Sequence, residues 1–260
     1  MFQDIIYEKK DHVATITINR PEVYNAFRTQ TILEMIEAIE DASDDGSIGV
    51  IVIRGAGGKA FCSGGDIAEM KELTPETGRT FLRRFFTLLH RIREAPKPVI
   101  AAVDGYCLGG GNEINMACDL TIATKRSKFG QVGPTVGSIP VLGGTQLLPL
   151  SVGEKKAKEI VFLCKRYSAE EAEKMGWVNL VVDDDKLDEA VKEWCDRILE
   201  MSPQSIRISK LSLNYQYHQT IHLFEEGIDM LSSLYDSEEL KEGMTAFLEK
   251  RKPDFNKFRK

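Results

Sequence analysis

Apolar and polar positions follow two different periods along the first two thirds of the chain. Residues 5–19 alternate with a period of two and are rich in β-branched side chains, which predicts one strand. Short runs that are apolar throughout predict strands buried on both faces, and apolar positions at helical spacing between them predict helices. The buried strands are expected at residues 50–53, 98–103 and 120–123, and the helices at residues 29–42, 80–92 and 112–118. This alternation of buried strands with helices predicts an α/β core.

After residue 168 the pattern favours helices. They are predicted at residues 172–175, 187–199, 205–213 and 224–234. We place a boundary near residue 200, so that residues 1–200 form the α/β core that carries the site and residues 201–260 form a C-terminal helical region. An amphipathic region without a separate core leaves apolar faces to be covered, and such faces usually mark an interface. The sequence therefore predicts a homo-oligomer in which this region packs on a partner subunit.

Composition and charge argue against two classes of partner. The chain has 260 residues, of which 42% are hydrophobic, and this is enough for one large domain with a substantial core. Its net charge of −6 and isoelectric point near 5.4 argue against a nucleic-acid partner. No apolar run reaches the roughly 20 residues of a membrane span, so no membrane association is expected.

Cysteine and histidine usage favours a reducing compartment. The five cysteines are scattered without a CxxC spacing, which is typical of buried thiols rather than of a disulfide framework or a zinc site. The four histidines form no metal-binding pattern. Residues 1–4 have neither the basic nor the apolar region of a signal peptide. We therefore expect a cytoplasmic protein that holds no metal ion.

A run of three glycines is the first feature of the sequence that indicates a binding site. Gly109, Gly110 and Gly111 directly precede a predicted helix, where bare backbone N–H groups and the helix dipole favour negative charge. Glu113 follows in the first helical turn. An oxyanion site with a carboxylate beside it is suited to proton transfer next to a carbonyl group. A second stretch, residues 129–133, is notable because it contains no acid.

Several groups of residues, taken in order, resemble the crotonase superfamily of enoyl-CoA hydratases and isomerases. They are residues 19–21 with 25–26, 59–67, 97–101, 105 with 108–113, 118–119, 129–131, 143–146 and 242–253. The resemblance implies a β-β-α spiral core with a C-terminal helical trimerisation region, commonly paired into hexamers. It also implies an acyl-CoA thioester as substrate, so that coenzyme A belongs to the substrate and no separate cofactor is expected.

The same resemblance implies a set of site residues. Glu113 corresponds to the family's catalytic acid and base, and the amides of Gly65 and Gly110 correspond to its oxyanion hole. The residues expected to bind the acyl group or coenzyme A are Ala26, Arg28, Ser63, Asp66, Ile67, Gly133, Tyr235 and Lys250. For Arg28, a phosphate contact and an ordinary solvated arginine remain alternatives. Tyr235 is a candidate for the site of its own subunit or of a neighbour.

One position departs from the family's hydratase pattern. Family hydratases use two glutamates, of which Glu113 matches the first, whereas Gly133 stands in place of the second. Two branches, dihydroxynaphthoyl-CoA synthase and 2-ketocyclohexanecarboxyl-CoA hydrolase, resemble this chain in having glycine there. Those enzymes carry an aspartate where this chain has Pro140, and they tend to lack the counterpart of Glu113. The chain therefore combines Gly133, which resembles the ring-cleaving branch, with Glu113, which resembles the hydratase branch.

This combination favours hydration of a cyclic, conjugated enoyl-CoA or dienoyl-CoA. Losing a glutamate at Gly133 is expected to open volume for a ring, and a conjugated dienolate allows one carboxylate to act twice. The specific substrate predicted is cyclohexa-1,5-diene-1-carbonyl-CoA, from anaerobic aromatic breakdown. The alternatives are a ring-opening C–C hydrolase of the 2-ketocyclohexanecarboxyl-CoA type, a linear short-chain enoyl-CoA hydratase, and a non-catalytic scaffold with this fold.

Overall fold

Two β-sheets form the framework of the molecule, whose computed structural model describes residues 2–259. The strands are β1 (Ile5–Lys10), β2 (Val13–Ile18), β3 (Val50–Gly55), β4 (Ala60–Cys62), β5 (Val99–Val103), β6 (Tyr106–Leu108), β7 (Leu120–Thr124), β8 (Lys128–Gly130), β9 (Tyr167–Ser168) and β10 (Leu180–Val182). The larger sheet has the order β1-β2-β3-β5-β7-β10, and the smaller has the order β4-β6-β8-β9. Parallel pairing dominates both sheets, while β1 with β2 and β8 with β9 are antiparallel.

Helices connect these strands and make up most of the last third of the chain. They are α1 (Thr29–Asp44), α2 (Ile67–Lys71), α3 (Pro75–Glu94), α4 (Gly110–Ala117), α5 (Leu148–Val152), α6 (Glu154–Leu163), α7 (Ala169–Lys174), α8 (Leu187–Leu199), α9 (Pro203–Leu213), α10 (Tyr215–Thr220), α11 (His222–Leu234) and α12 (Glu238–Leu248). Short 3-10 helices lie at Pro21–Val23, Ala56–Gly58, Gly133–Val136 and Asn256–Phe258.

The predicted α/β class and helical C-terminal region are confirmed. The three runs expected to be buried strands form β3, β5 and β7, which pair in parallel at the centre of the larger sheet. The three helices expected between them form α1, α3 and α4. Helix α3 begins at Pro75 rather than at residue 80, because proline suits the first helical position and the Thr74 hydroxyl accepts a hydrogen bond from the Thr77 amide.

The prediction of one strand over residues 5–19 is wrong, because this segment forms the hairpin of β1 and β2. Asp11 and His12 connect the two strands, and both have positive φ, of 50° and 65°. Two consecutive residues with positive φ form the kind of tight turn whose twist matches antiparallel strands. Neither residue is glycine, so the sequence lacks the usual signal for such a turn.

The smaller sheet brings three chain segments to one edge. Strands β4, β6 and β8 run parallel, so their C-terminal ends lie side by side. The chain leaves β4 into Ser63, leaves β6 into Gly109 and leaves β8 into Gln131. Loops at the carboxyl ends of parallel strands are the usual place for a ligand site in α/β proteins. The glycine motifs of the sequence therefore meet at this edge.

The helices after residue 200 pack on the same hydrophobic core as the sheets. Helix α11 lies against α3, and α12 lies against α2 and the 3-10 helix Gly133–Val136. Side chains from both helices, including Phe224, Ile228 and Leu240, belong to the cluster that contains the strand residues of the core. This region therefore has no separate core, as the sequence indicates. The boundary near residue 200 remains a prediction.

Candidate functional site

Two glycine loops touch where β4 and β6 end. A Cβ atom added to Gly64, whose φ is +112°, would lie 3.3 Å from the backbone nitrogen of Gly110. A Cβ atom on Gly111 would lie 2.1 Å from the carbonyl oxygen of Cys62, which is far inside van der Waals contact. Glycine is therefore required for the start of α4 to approach the end of β4 this closely.

The amides of Gly65 and Gly110 form the candidate oxyanion hole. Neither N–H donates a hydrogen bond to another of residues 2–259. For Gly110 the reason is its place as the first residue of α4, where N–H groups lack an intrahelical acceptor. Beside Gly65, the pairing with Phe27 uses the carbonyl oxygen of Gly64, which accepts from the Phe27 amide, and the amide of Asp66, which donates to the Phe27 carbonyl oxygen. Two backbone donors therefore remain available for a ligand.

The ring of Phe27 packs beside both glycines of the candidate oxyanion hole. A Cβ atom on Gly110 would lie 2.7 Å from Cε1 of Phe27, and one on Gly65 would lie 3.7 Å from Cε2 of the same ring. The Phe27 ring stacks on that of Phe85 at 4.4 Å between centroids and on that of Phe81 at 6.3 Å. The three rings are only 2–3% exposed, so this aromatic wall is an apolar surface against the two glycines, and a low dielectric strengthens the electrostatic effect of nearby donors.

Glu113 lies in the first turn of α4 and is only 6% exposed. Its Oε1 atom accepts hydrogen bonds from the backbone nitrogens of Leu142 at 3.0 Å and Gly144 at 3.1 Å. Burial raises the pKa of Glu113 to about 7, outweighing the two N–H groups, which lower it. A carboxyl group with a pKa near neutrality is able both to take and to return a proton.

The second carboxylate oxygen of Glu113 is the one available for chemistry. Oε2 accepts no hydrogen bond from residues 2–259 and is not among their fully enclosed polar atoms. The loop that binds Oε1 approaches closely at Gly143, where an added Cβ atom would lie 3.5 Å from the Cβ atom of Glu113. Gly143 also has a φ of +125°, which favours glycine. The loop therefore fixes one oxygen and leaves the other to a ligand.

The space beside Gly133 is narrower than the sequence suggests. A Cβ atom on Gly133 would lie 3.2 Å from the carbonyl oxygen of Ser138 and 3.5 Å from its carbonyl carbon. The Ser138 amide also donates to the Gly133 carbonyl oxygen at 3.0 Å. Backbone atoms therefore fill the direction that a side chain would take. A glutamate at this position would require residues 138–139 to move by a few tenths of an ångström.

Arg28 and Asp66 are engaged within the protein. The Arg28 guanidinium donates to both oxygens of Asp4 at 2.8 Å and holds the pKa of that carboxyl below its usual range. Asp66 caps α2 by accepting from the Ala68 amide at 3.0 Å, and it also accepts from Nη2 of Arg20 at 3.0 Å. The structure thus gives both residues structural partners, and their predicted role in coenzyme A binding stays a prediction.

Asn25 stabilises the loops near Ala26, Ser63 and Ile67, three residues that the sequence predicts to bind substrate. Its buried side chain donates to the carbonyl oxygens of Ala56 at 2.9 Å and Ala60 at 2.7 Å. Next to it along the chain is Ala26, and the Ser63 amide donates to the carbonyl oxygen of Tyr24 at 3.1 Å. Ile67 begins α2 two residues after Gly65. Ala26 precedes Phe27, whose backbone pairs with Gly65, and Ser63 and Ile67 lie within two residues of Gly65 along the chain, so all three are near the candidate oxyanion hole.

Tyr235 and Lys250 differ in their surroundings. Tyr235 is 3% exposed, packs against Gly78 of α3, and its hydroxyl group has no hydrogen-bond partner among residues 2–259. Lys250 is exposed just beyond α12. The predicted roles of both residues stay predictions.

Several residues around the candidate site have no role assigned from the sequence. These are Phe27, Phe81 and Phe85, which form the aromatic wall, Leu142 and Gly144, which bind Glu113, and Gln131, whose side-chain amide is buried without a partner. The glycine pair at residues 143–144 was a usable signal, because glycine in a loop often marks a close backbone approach. The spacing of Phe81 and Phe85 in α3 predicts a buried helix face but gives no indication of a ligand site.

No group of three or more histidine, cysteine, aspartate or glutamate side chains in residues 2–259 is arranged to hold a metal ion. None of the helices formed by residues 2–259 is long and apolar enough to cross a membrane.

Comparison with known proteins agrees with this geometry. The family model for enoyl-CoA hydratase/isomerase matches residues 8–258. An enoyl-CoA hydratase/isomerase from Xanthobacter autotrophicus Py2 is 35% identical with a TM-score of 0.86, over 96% of this chain and 93% of that one. An enoyl-CoA hydratase from Bacillus anthracis is 31% identical with a TM-score of 0.80, over 97% and 99%. One from Mycobacterium avium subsp. paratuberculosis K-10 is 28% identical with a TM-score of 0.87, over 98% and 99%. The chain belongs to the enoyl-CoA hydratase/isomerase family.

Proposed function

We propose that this protein is an acyl-CoA hydratase that adds water to a conjugated enoyl-CoA or dienoyl-CoA thioester, and that its substrate is cyclic. The observation that carries the proposal is Glu113, a buried carboxyl group with a pKa of about 7 in the same helix start as the free Gly110 amide. A carboxyl group whose pKa lies near neutral pH can act as general acid and base, and two N–H donors beside it can stabilise the enolate of a thioester.

The reaction proceeds through an enolate. As ionised Glu113 takes a proton from water on Oε2, the water oxygen bonds to the β-carbon, and the π electrons move to the thioester oxygen. The amides of Gly65 and Gly110 stabilise that oxyanion, a contribution of roughly 3–4 kcal/mol per donor in enzymes where it has been measured. Glu113 then returns the proton to carbon, which regenerates the carboxylate and completes the addition of one water molecule.

A single carboxyl group accounts for both proton transfers. The pKa of Glu113 is raised by burial, and its partners on Oε1 are backbone amides rather than a second acid. A conjugated substrate suits this arrangement because a dienolate spreads its charge and accepts the proton at a distant carbon. Cyclohexa-1,5-diene-1-carbonyl-CoA is the specific substrate we propose. The aromatic wall of Phe27, Phe81 and Phe85 keeps the surroundings of the two glycines apolar, which favours an apolar acyl group.

A linear short-chain enoyl-CoA is the second candidate substrate. It is favoured by the names of the similar solved structures, several of which are enoyl-CoA hydratases. It is also favoured by the packing at Gly133, where the backbone of Ser138 fills the direction in which a ring would gain space. A ring-opening hydrolase is disfavoured because Pro140 stands where that branch carries an aspartate.

The decisive experiment compares cyclic and linear thioesters. The protein is incubated separately with cyclohexa-1,5-diene-1-carbonyl-CoA and crotonyl-CoA, while thioester absorbance and product mass are followed. We expect a product heavier by one water with its ring intact by NMR, and a higher kcat/KM for the cyclic substrate. Turnover of crotonyl-CoA alone would establish the linear alternative, ring opening would establish a hydrolase, and no reaction with either would favour a scaffold.

We also propose that the protein is a cytoplasmic homotrimer or dimer of trimers without a nucleic-acid partner. Support for assembly comes from large apolar side chains that remain exposed near the C-terminal helices, such as Leu213 and Phe247. Support for a reducing compartment comes from the five cysteines, which are all free thiols.

A further inference from the structure

Helix α4 carries polar groups on two opposite sides. Gly110 and Glu113, which belong to the candidate site, share one side of the helix. Asn112 and Asn115 share another side, which at about 100° per residue lies roughly 160° around the helix axis. Both asparagines are buried, at 0% and 1% exposed. Because buried polar side chains are nearly always hydrogen-bonded, this second side needs partners inside the protein.

The partner of Asn112 is Trp177, which lies between α7 and β10. The indole nitrogen donates to Oδ1 of Asn112 at 3.0 Å, and Trp177 is only 5% exposed. The indole ring packs against Phe129 at 5.7 Å and against Tyr167 at 6.3 Å between ring centroids. An indole has one N–H group, whose direction is set once the ring is packed. Trp177 therefore holds the Asn112 side chain at one place.

Asn115 has an anchor of its own, nearly one turn further along α4. The Thr121 hydroxyl, on β7, donates to Oδ1 of Asn115 at 2.8 Å. The backbone nitrogen of Thr121 donates to Oδ1 of Asn179 at 2.8 Å, which ties this part of β7 to the segment that precedes β10. Two hydrogen bonds at two levels of one helix, from two different neighbours, fix its rotation about its own axis.

Hydrogen bonds suit this purpose better than apolar contacts do. The hydrophobic effect is non-directional, whereas a hydrogen bond weakens steeply when its angle changes. On the side of the candidate site, α4 is held by the amides of Leu142 and Gly144, which donate to Oε1 of Glu113. Helix α4 is therefore held by directional contacts from both sides.

We propose that Trp177 is a positioning residue for the hydration reaction, and that with Thr121 it fixes the rotation of α4. This inference rests on the proposed hydratase function. A rotation of α4 would move the Gly110 amide and the Glu113 carboxyl group together, since both belong to its first turn. Oxyanion donors and general bases act only within a narrow range of distances, so a small rotation lowers the rate. Neither Trp177 nor Thr121 exchanges a proton.

Trp177→Phe keeps an aromatic ring and removes the N–H donor. The substrate is whichever of cyclohexa-1,5-diene-1-carbonyl-CoA and crotonyl-CoA the wild type hydrates faster. We expect kcat to fall roughly tenfold to a hundredfold while KM changes less than about threefold. Trp194→Phe is the matched control, because Trp194 packs on the opposite face of the larger sheet, and it should keep the wild-type kcat. If Trp177→Phe does not fold, Thr121→Val is measured in the same way.

A double variant separates positioning from stability. Trp177→Phe leaves Oδ1 of Asn112 without its indole donor, so we expect a lower melting temperature. Adding Asn112→Leu removes the other partner as well, and replacing both partners by apolar groups is often nearly neutral for stability. We expect the double variant to regain melting temperature while kcat stays low. Recovery of kcat together with stability would overturn the positioning role, because Trp177 would then support the fold alone.

The pKa of Glu113 provides a readout that needs no turnover. The two N–H groups on Oε1 lower that pKa, so a rotation of α4 that lengthens their hydrogen bonds should raise it further. The stability contributed by the raised pKa is lost as the pH rises through the folded-state value. Urea unfolding between about pH 5 and about pH 9 should therefore show this loss at a higher pH in Trp177→Phe than in the wild type.

The outcomes distinguish this inference from the function on which it rests. A folded Trp177→Phe variant with the wild-type kcat, or with an unchanged titration of Glu113, overturns the positioning role and leaves the hydratase function intact. A wild-type protein that hydrates neither thioester overturns the proposed function. In that case the titration still decides whether Trp177 fixes the position of Glu113.

Discussion

At the scale of single residues, Glu113 shows how burial gives an ordinary carboxyl group the near-neutral pKa that a general acid and base needs. Its surroundings offer two N–H donors to one oxygen, yet desolvation dominates and the pKa rises to about 7. The sequence places Glu113 next to the glycine run, but its burial and its two backbone partners depend on a loop about thirty residues away. The tuning of the residue is therefore a property of the fold.

Replacing Glu113 by glutamine tests its chemical role. Glutamine keeps the size of the side chain and an acceptor oxygen for the Leu142 and Gly144 amides, so we expect the fold to be retained. Turnover should fall by roughly 10²–10⁴, the usual contribution of a general acid or base. Steady-state kinetics with the best thioester substrate measure the loss, with circular dichroism as the control. Turnover near that of the wild type would exclude the mechanism.

The pH dependence of stability provides an independent measurement on Glu113. Its pKa in the folded state, about 7, exceeds the ordinary value of 4.5, so the folded protein binds this proton more tightly than the unfolded chain does. The resulting stabilisation is complete below pH 4.5 and is lost as the pH rises through 7. Glutamine cannot ionise. We therefore expect Glu113→Gln to be more stable than the wild type by roughly 2–4 kcal/mol at alkaline pH, and to lose this advantage near pH 4.5.

Urea unfolding of both proteins at about pH 5 and about pH 8 measures this difference, and kcat/KM of the wild type over the same range should rise to half its plateau near pH 7. A stability difference that does not change with pH would show that Glu113 titrates normally. It would also remove the reason for assigning both proton transfers to this one residue.

At the scale of secondary-structure elements, the site depends on how closely α4 approaches β4. The glycine run was visible in the sequence, and so were the buried strands and helices with strong periodicity, such as β3, β5 and α3. Strands β4, β6 and β8 were not predicted because each has only three residues, too few to show a period. Their parallel pairing, which brings the loops together, is a long-range contact that no local pattern records.

Gly111→Ala tests this close approach. A Cβ atom there would lie 2.1 Å from the Cys62 carbonyl oxygen, so α4 and β4 would have to separate. We expect a loss of about 1–3 kcal/mol in the free energy of unfolding, the usual cost of overpacking, together with reduced turnover because the Gly110 amide moves. Gly46→Ala is the matched control, since an added Cβ atom there meets nothing within 4 Å. Equal chemical denaturation midpoints for the two variants would contradict the expectation.

At the scale of the whole molecule, the C-terminal helices both complete the core and leave apolar surface uncovered. Phe224, Ile228 and Leu240 pack into the core that contains the sheets. Other side chains near the same end of the chain remain exposed, among them Ile208, Leu211, Leu213, Tyr215, Met230 and Phe247. Burying a large apolar side chain is worth roughly 1.5–3 kcal/mol, so covering such a surface favours assembly. A single monomer therefore has a well-packed core but leaves an apolar surface exposed to solvent.

Leu213→Glu tests whether this exposed apolar surface is the subunit interface. Leu213 is 81% exposed at the end of α9, so we expect a charge there to leave the monomer folded while destabilising the oligomer. Light scattering of the wild type at micromolar concentration should report the mass of a trimer or hexamer, and the variant should dissociate on dilution at a higher concentration. Leu33→Glu, which introduces the same charge at an exposed leucine of α1, is the matched control and should leave the mass unchanged. A wild-type protein that remains a stable monomer would show that the exposed apolar side chains are not an interface for self-association.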